Sequence, residues 1–355
     1  MLETIMLRFI SLIPHGGLGL FILLAIIAGS LVVLSKGADI LVDEAVLLSV
    51  RWGVPKMIIG ATIVSLGTTL PEVTVSVMSA LKGAPGLAMG NAVGSIICDT
   101  GLILGIAALI RPLPFKKEEI NTQSWIQLGS AVLLVTISFV FGHGLKAFND
   151  GGRVPQSMGW FLLLLLGIYL IRTIHHAQTK KESSTDLNEG FCCQSDGKAE
   201  NQPIILIILK LIIGVGLVIV SSKVLIPSVQ ETAVRFHIPE NIIAATLVAF
   251  GTSLPELTTA ITATRKGHGD LAIGNVMGAD VLNVLFVVGA AAAVTPQGLE
   301  VQVSFFRLLF PAMLFILCVF KGSVLFSKDT LKRPVGFVLV SAYVFVTVLS
   351  YLTGA

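Results

Sequence analysis

Two stretches of this 355-residue chain can be laid over one another without a gap. ATIVSLGTTLPEVTVSVMSALKGAPGLAMGNAVGSIICD begins at Ala61, and ATLVAFGTSLPELTTAITATRKGHGDLAIGNVMGADVLN begins at Ala245, an offset of 184 residues. Matched positions include Gly67/Gly251, Thr68/Thr252, Pro71/Pro255, Glu72/Glu256, Asn91/Asn275 and Gly94/Gly278, and Pro55 finds Pro239 upstream at the same offset. An internal repeat on this scale restricts the fold to two similar halves. How the halves are oriented depends on what lies between them.

The chain is 54% hydrophobic and 13% charged, where soluble domains carry roughly 25% charged residues. It therefore reads as an integral membrane protein, with the bilayer as its main partner. Apolar runs of the length a membrane helix needs, about 20 residues, begin near 18, 57, 86, 124, 157, 203, 240, 270, 301 and 334. The first of them lacks a basic flank and runs on into further structure, so it is read as a span and not a signal peptide. About ten spans divide into five per half, and an odd number makes the second half enter the membrane upside down. The expected fold is an all-α polytopic membrane protein of two inverted five-helix repeats, residues 1–178 and 203–355. The polar stretch 179–202, TKKESSTDLNEGFCCQSDGKAENQ, has the composition of a flexible linker. Its Cys192 and Cys193, like Cys98 and Cys318, have no disulfide or metal spacing.

Lysine and arginine set the orientation. With both termini outside, the inner loops hold Arg51, Lys56, Arg111, Lys116, Lys117, Arg172, Lys180, Lys181, Lys198, Arg265, Lys266, Lys321, Lys328, Lys332 and Arg333. The outer segments hold only Arg8, Lys82, Lys146, Arg153 and Arg235. The linker is thus expected in the cytoplasm, and Lys82 and its repeat partner Lys266 on opposite sides.

The repeated motif contains what a membrane helix should avoid. Proline removes an N–H and clashes with the preceding turn, and a carboxylate in hydrocarbon is costly unless paired. Pro71 should free carbonyls from about Ser65 to Gly67, tolerated in a membrane only where they line a cavity or find partners. Thr68 and Thr69 lie on the face of Glu72, three and four residues away. The second half repeats the set with the carbonyls of Ala249 to Gly251, Thr252, Ser253 and Glu256. Packing explains retained glycines, because small residues let helices approach, but not two retained glutamates. In the next helix Asn91, Ser95 and Asp99 form a stripe, matched by Asn275, Ala279 and Asn283. For Asn91 and Asn275, interhelical hydrogen bonding competes evenly with a ligand role. Asp280 is turned about 100° from Ala279 and should face a neighbouring helix or a polar crevice. All donors in the motifs are oxygens, which suits a hard cation such as Ca²⁺; no histidine or cysteine falls among them, against zinc or copper. Asp39, Asp43 and Glu44 read as interfacial, and the histidines as solvated.

GTTLPE and GTSLPE, each followed by GNxxG, resemble the two alpha repeats of the sodium/calcium exchangers, within the cation/calcium exchanger superfamily. KGADILVDEAVLLSVRWGVPKMIIGATIVSLGTTLPE is most similar to the prokaryotic branch. The resemblance implies a site on four clustered helices that takes one Ca²⁺ or several Na⁺ in turn. Its implied ligands are Thr68, Thr69, Glu72, Ser95 and Asp99, then Thr252, Ser253, Glu256 and Asn283, with the carbonyls of Ser65 and Ala249. The chain departs from the family where GSN is usual, reading GSI and GAD, and it carries its acid at the last position in the first half only. The expected function is a plasma-membrane secondary antiporter exchanging Na⁺ for Ca²⁺, with both ions as transported substrates. No prosthetic group, nucleic acid, obligatory protein partner or enzymatic activity is expected. The alternatives are an antiporter coupled to H⁺ or K⁺ on the same fold, and a cation channel, which would not need mirrored broken helices.

Overall fold

The computed structural model describes residues 13–14, 16–142, 144–183, 203–236, 251–327 and 329–353. Eleven long helices among them carry the architecture: α1 Gly17–Trp52, α2 Lys56–Thr68, α3 Leu70–Leu81, α4 Pro85–Ile110, α5 Lys117–Val140, α6 Gln156–Ser183, α7 Ile204–Arg235, α8 Leu254–Arg265, α9 Gly269–Ala293, α10 Phe305–Phe326 and α11 Arg333–Thr353. Eight are long and apolar enough to cross a membrane, and α2 with α3 forms one further span bent by 45°. The span expected near 240 begins outside the described residues; its described remainder is α8. Ala249 and residues 184–202 of the linker also lie outside them.

The layering is that of a protein in lipid. Large apolar side chains point outward: Trp160 is 61% exposed and Ile171 69% on α6, and Phe337 67% on α11. At the centre stands α9, in which every residue from Leu271 to Leu285 is buried. It packs on α2 backbone to backbone: a Cβ on Gly274 would lie 2.1 Å from the carbonyl oxygen of Met57, and one on Gly278 2.5 Å from Cα of Ala61. No side chain larger than hydrogen fits there, the membrane use of small residues. The long α1 and α7 cross in the same way, through Gly37 on Leu217 and Gly214 on Leu41. A buried Glu44–Lys210 ion pair of 3.2 Å joins them further on, so Glu44 is an interhelical partner and not an interfacial residue.

Two short antiparallel ladders tie loops together. β1 (Leu113–Pro114) pairs with β4 (Thr330–Leu331), and β2 (Gly152–Val154) with β3 (Leu299–Val301). The first ladder gathers Arg111, Lys116, Lys117 and Lys332 at one end. Lys266 joins α1 through Asp39 at 3.1 Å and Asp43 at 2.8 Å. The other ladder carries Arg153, and Arg307 reaches the carbonyl of Phe148 beside it at 3.0 Å. Lys321 is a correction. It is not a loop residue but a buried one within α10, its Nζ 2.6 Å from Oδ1 of Asn121 and 4.5 Å above the Trp125 ring. A long stem lets a lysine sit in a helix while its head finds polar partners. His268 also differs from the solvated expectation: it is half-buried, its Nδ1 3.1 Å from Nζ of Lys56.

Candidate ion-binding site

The prolines act differently from a break in the middle of a helix. Pro71 and Pro255 stand in the first turn of new helices, α3 and α8, where the missing N–H costs nothing. Thr69 and Ser253 hold the N-cap positions, yet neither side chain caps its own helix. Their hydroxyls turn elsewhere. Thr69 donates to Oε1 of Glu256 at 3.3 Å, and Ser253 to Oγ of Ser95 at 3.4 Å. Glu72 and Glu256 sit in the first turns of these helices, each 1% exposed.

The halves also bond crosswise. Thr68 donates to Oδ1 of Asn275 at 3.5 Å, and Thr252 donates to Oδ1 of Asn91 at 3.2 Å. These two contacts are equivalent under the 184-residue offset. Asn91 in turn donates to the carbonyl of Glu72 at 3.3 Å and to Ser76 at 3.0 Å. The asparagines therefore do make interhelical hydrogen bonds, and those bonds run to the motif itself. Ser65 departs from expectation: its carbonyl accepts the N–H of Thr69 at 2.9 Å and the hydroxyl of Thr68 at 3.3 Å.

Asp99 and Asn283 occupy the start of helical turns widened to the π form, Cys98–Ile103 in α4 and Asn283–Val288 in α9. Such turns occur often at functional sites. Both side chains are buried, and Asp99 lies within electrostatic reach of Glu72, Glu256 and Asp280. Among the described residues, both Glu72 carboxylate oxygens, Oε2 of Glu256, Oδ1 of Asp99 and Oδ1 of Asn283 have no hydrogen-bond partner. A buried charge left bare is strongly unfavourable. A centre of bare carboxylate oxygens ringed by hydroxyls and amides is an arrangement completed by a cation. The acids are spread between hydroxyls, and no three of His, Cys, Asp and Glu form a metal-holding group among the described residues.

The family model for the sodium/calcium exchanger protein matches residues 22–174 and 206–352, on either side of the linker. The chain belongs to that family. Among curated relatives, sodium/calcium exchanger MaX1 of Methanosarcina acetivorans is 29% identical over 91% of this chain and 97% of its own. Inner membrane protein YrbG of Escherichia coli is 34% identical over 78% of this chain and 81% of its own. A solved structure of the sodium-calcium exchanger NCX_Mj, soaked with Na⁺ and Sr²⁺, superposes with a TM-score of 0.74 at 25% identity, covering 92% of this chain and 98% of that one. This exchanger is thus a multi-pass membrane transporter and not an enzyme, and Na⁺ and Ca²⁺ are its substrates.

Some polar neighbours of the site were not singled out by the motifs. Gln123 donates to the Tyr169 hydroxyl at 2.6 Å, and that hydroxyl donates to the carbonyl of Ala61 at 3.2 Å, inside a widened turn of α2. Gln127, one turn on from Gln123, reaches Thr100 at 2.9 Å and also Asp280. Asp280 does face neighbouring helices, as its rotation from the stripe implies. The available signal was two amides four residues apart in the apolar run of α5.

Proposed function

We propose that this exchanger is a secondary antiporter that extrudes Ca²⁺ against inward Na⁺ flow by alternating access. The observation that carries the reading is the pair of buried, incompletely partnered glutamates, Glu72 and Glu256, one from each repeat. Thr68, Thr69, Ser65, Ser95 and Asp99 complete the set from the first half. Thr252, Ser253, Asn283 and the carbonyl of Ala249 do so from the second. One Ca²⁺ neutralises both glutamates; several Na⁺ do so through the hydroxyls and carbonyls. An empty centre leaves like charges buried together, which opposes the switch between states and enforces exchange. The crossed Thr68–Asn275 and Thr252–Asn91 contacts support two inverted halves, 1–178 and 203–355, about a midplane site. The charge distribution supports a plasma-membrane protein with its termini outside and the 179–202 linker in the cytoplasm.

The test is ⁴⁵Ca²⁺ flux in proteoliposomes with Na⁺, K⁺ or H⁺ gradients imposed one at a time. Only the Na⁺ gradient should drive Ca²⁺, and Glu72→Gln and Glu256→Gln should each reduce that flux to background. Uptake driven by a pH gradient without Na⁺ would replace this reading with a proton-coupled one. Near-normal exchange in both variants would remove the site.

A further inference from the structure

Asp280 is a fourth buried carboxylate close to the glutamate centre. It is 1% exposed, and one of its oxygens is fully engaged: Oδ2 accepts from the Thr100 hydroxyl and from Nε2 of Gln127. Gln127 also donates to Thr100, so the three side chains close on one another. The carboxylate is held by α4 and α5, away from the stripe of Asn275, Ala279 and Asn283. Its other oxygen, Oδ1, has no partner among the described residues.

Two further oxygens nearby share that condition. Oδ1 of Asn283, three residues along α9 and therefore on a neighbouring part of the same face, is buried and bare. Oδ1 of Asp99 is likewise buried and bare, and Asp280 is the charge that acts on it most strongly. Asp99 and Asn283 begin the two widened turns of α4 and α9. A widened turn leaves a backbone carbonyl without its usual intrahelical partner. No buried basic group offsets these acids: Lys321, the buried lysine, spends its hydrogen bonds on Asn121 and Ser124.

We propose that Asp280, with Asp99 and Asn283, forms an additional monovalent-cation pocket beside the glutamate centre, and that this pocket adds one Na⁺ to the ions exchanged for each Ca²⁺. Thr100 and Gln127 are its positioning residues, fixing one carboxylate oxygen so that the other faces the cation. A monovalent ion suits the pocket because the bare donors are two carboxylates and an amide, too few for the six to eight oxygens of Ca²⁺. A hard cation satisfies all three bare acceptors at once, whereas a proton on Asp280 satisfies one. The inference rests on the Na⁺/Ca²⁺ exchange reading.

The experiment uses the full chain in proteoliposomes with the membrane potential clamped at zero. ⁴⁵Ca²⁺ accumulation is read at equilibrium against a fixed Na⁺ gradient. Each Na⁺ exchanged per Ca²⁺ multiplies the accumulation ratio by the Na⁺ gradient. For a tenfold gradient, Asp280→Asn should therefore lower the ratio about tenfold. The ratio is an equilibrium quantity, so a partly active preparation still reports it. Asp280→Ser, which keeps a small polar group in the crevice, is the second variant if the first is inactive. An unchanged ratio in an active variant overturns the proposal. So does an unchanged ratio accompanied by altered pH dependence, which would make Asp280 a proton site. Failure of the underlying reading looks different: wild-type Ca²⁺ would not follow the Na⁺ gradient at all.

Discussion

Thr69 and Ser253 stand at equivalent places in the two repeats and make unlike hydrogen bonds. Ser253 finds the hydroxyl of Ser95, but the position equivalent to Ser95 is Ala279, and Thr69 bonds Glu256 instead. A single missing hydroxyl thus makes the site unsymmetrical. The same holds for Asp99 and Asn283, where charge sits on one side only. If the net charge matters more than its side, the Asp99→Asn variant should lose about tenfold in apparent Na⁺ affinity, roughly 1.4 kcal/mol. Adding Asn283→Asp should then recover most of it. Na⁺ titration of ⁴⁵Ca²⁺ efflux measures both. At this scale the sequence was highly legible, because buried acids and hydroxyls at fixed spacing have few other uses in a membrane. What it hid were partners from outside the repeat. Gln127 and Tyr169 come from α5 and α6, and only tertiary packing brings them to Asp280 and Ala61.

Among the elements, α2 and α9 are the closest pair, pressed together at Gly274 and Gly278. Gly278→Ala should cost about 1–3 kcal/mol, the usual effect of overpacking, read as a lower thermal midpoint in detergent. Gly167→Ala on α6, where an added Cβ meets no described atom, should be nearly neutral. The starts of the same two helices meet through Lys56 and His268. Burial first, then the Lys56 charge, holds the His268 imidazole below its ordinary 6.5, with Lys266 acting the same way and Asp270 and Asp43 opposing. A lowered value means the unfolded chain takes up the proton first. The contact therefore stabilises fully above about 6.5 and fades as pH falls through the folded value. The thermal midpoint of the wild type should drop more steeply on acidification than that of His268→Gln. The helices themselves were predictable from apolar runs, but their internal turns were not. Pro71 and Pro255 were expected to interrupt helices, and the structure uses them to begin new ones, a distinction set by where the chain bends at Thr69.

For the whole molecule, the orientation assigned from lysine and arginine has a direct check. In a background without native cysteines, Lys332→Cys should react with an impermeant maleimide only from the cytoplasmic side, and Arg153→Cys only from outside. Span number, the bilayer setting and the family were all readable from the chain, since apolar length and an ungapped repeat survive without any contact information. Lys321 shows the limit: a charge at the end of an apolar run reads as a loop until Asn121 and Ser124 are seen beside it. One contact has a consequence for energy that the local view conceals. Equal inverted halves would make the inward-open and outward-open forms degenerate. Lys266 grips Asp39 and Asp43 on α1, but the equivalent positions across the repeat are Lys82 facing Lys223 and Pro227. An attraction that latches one end becomes a repulsion at the other. The exposed pairs are individually weak, about 0–1 kcal/mol, yet that is sufficient to tilt a near-balanced equilibrium and give the empty transporter a preferred resting side.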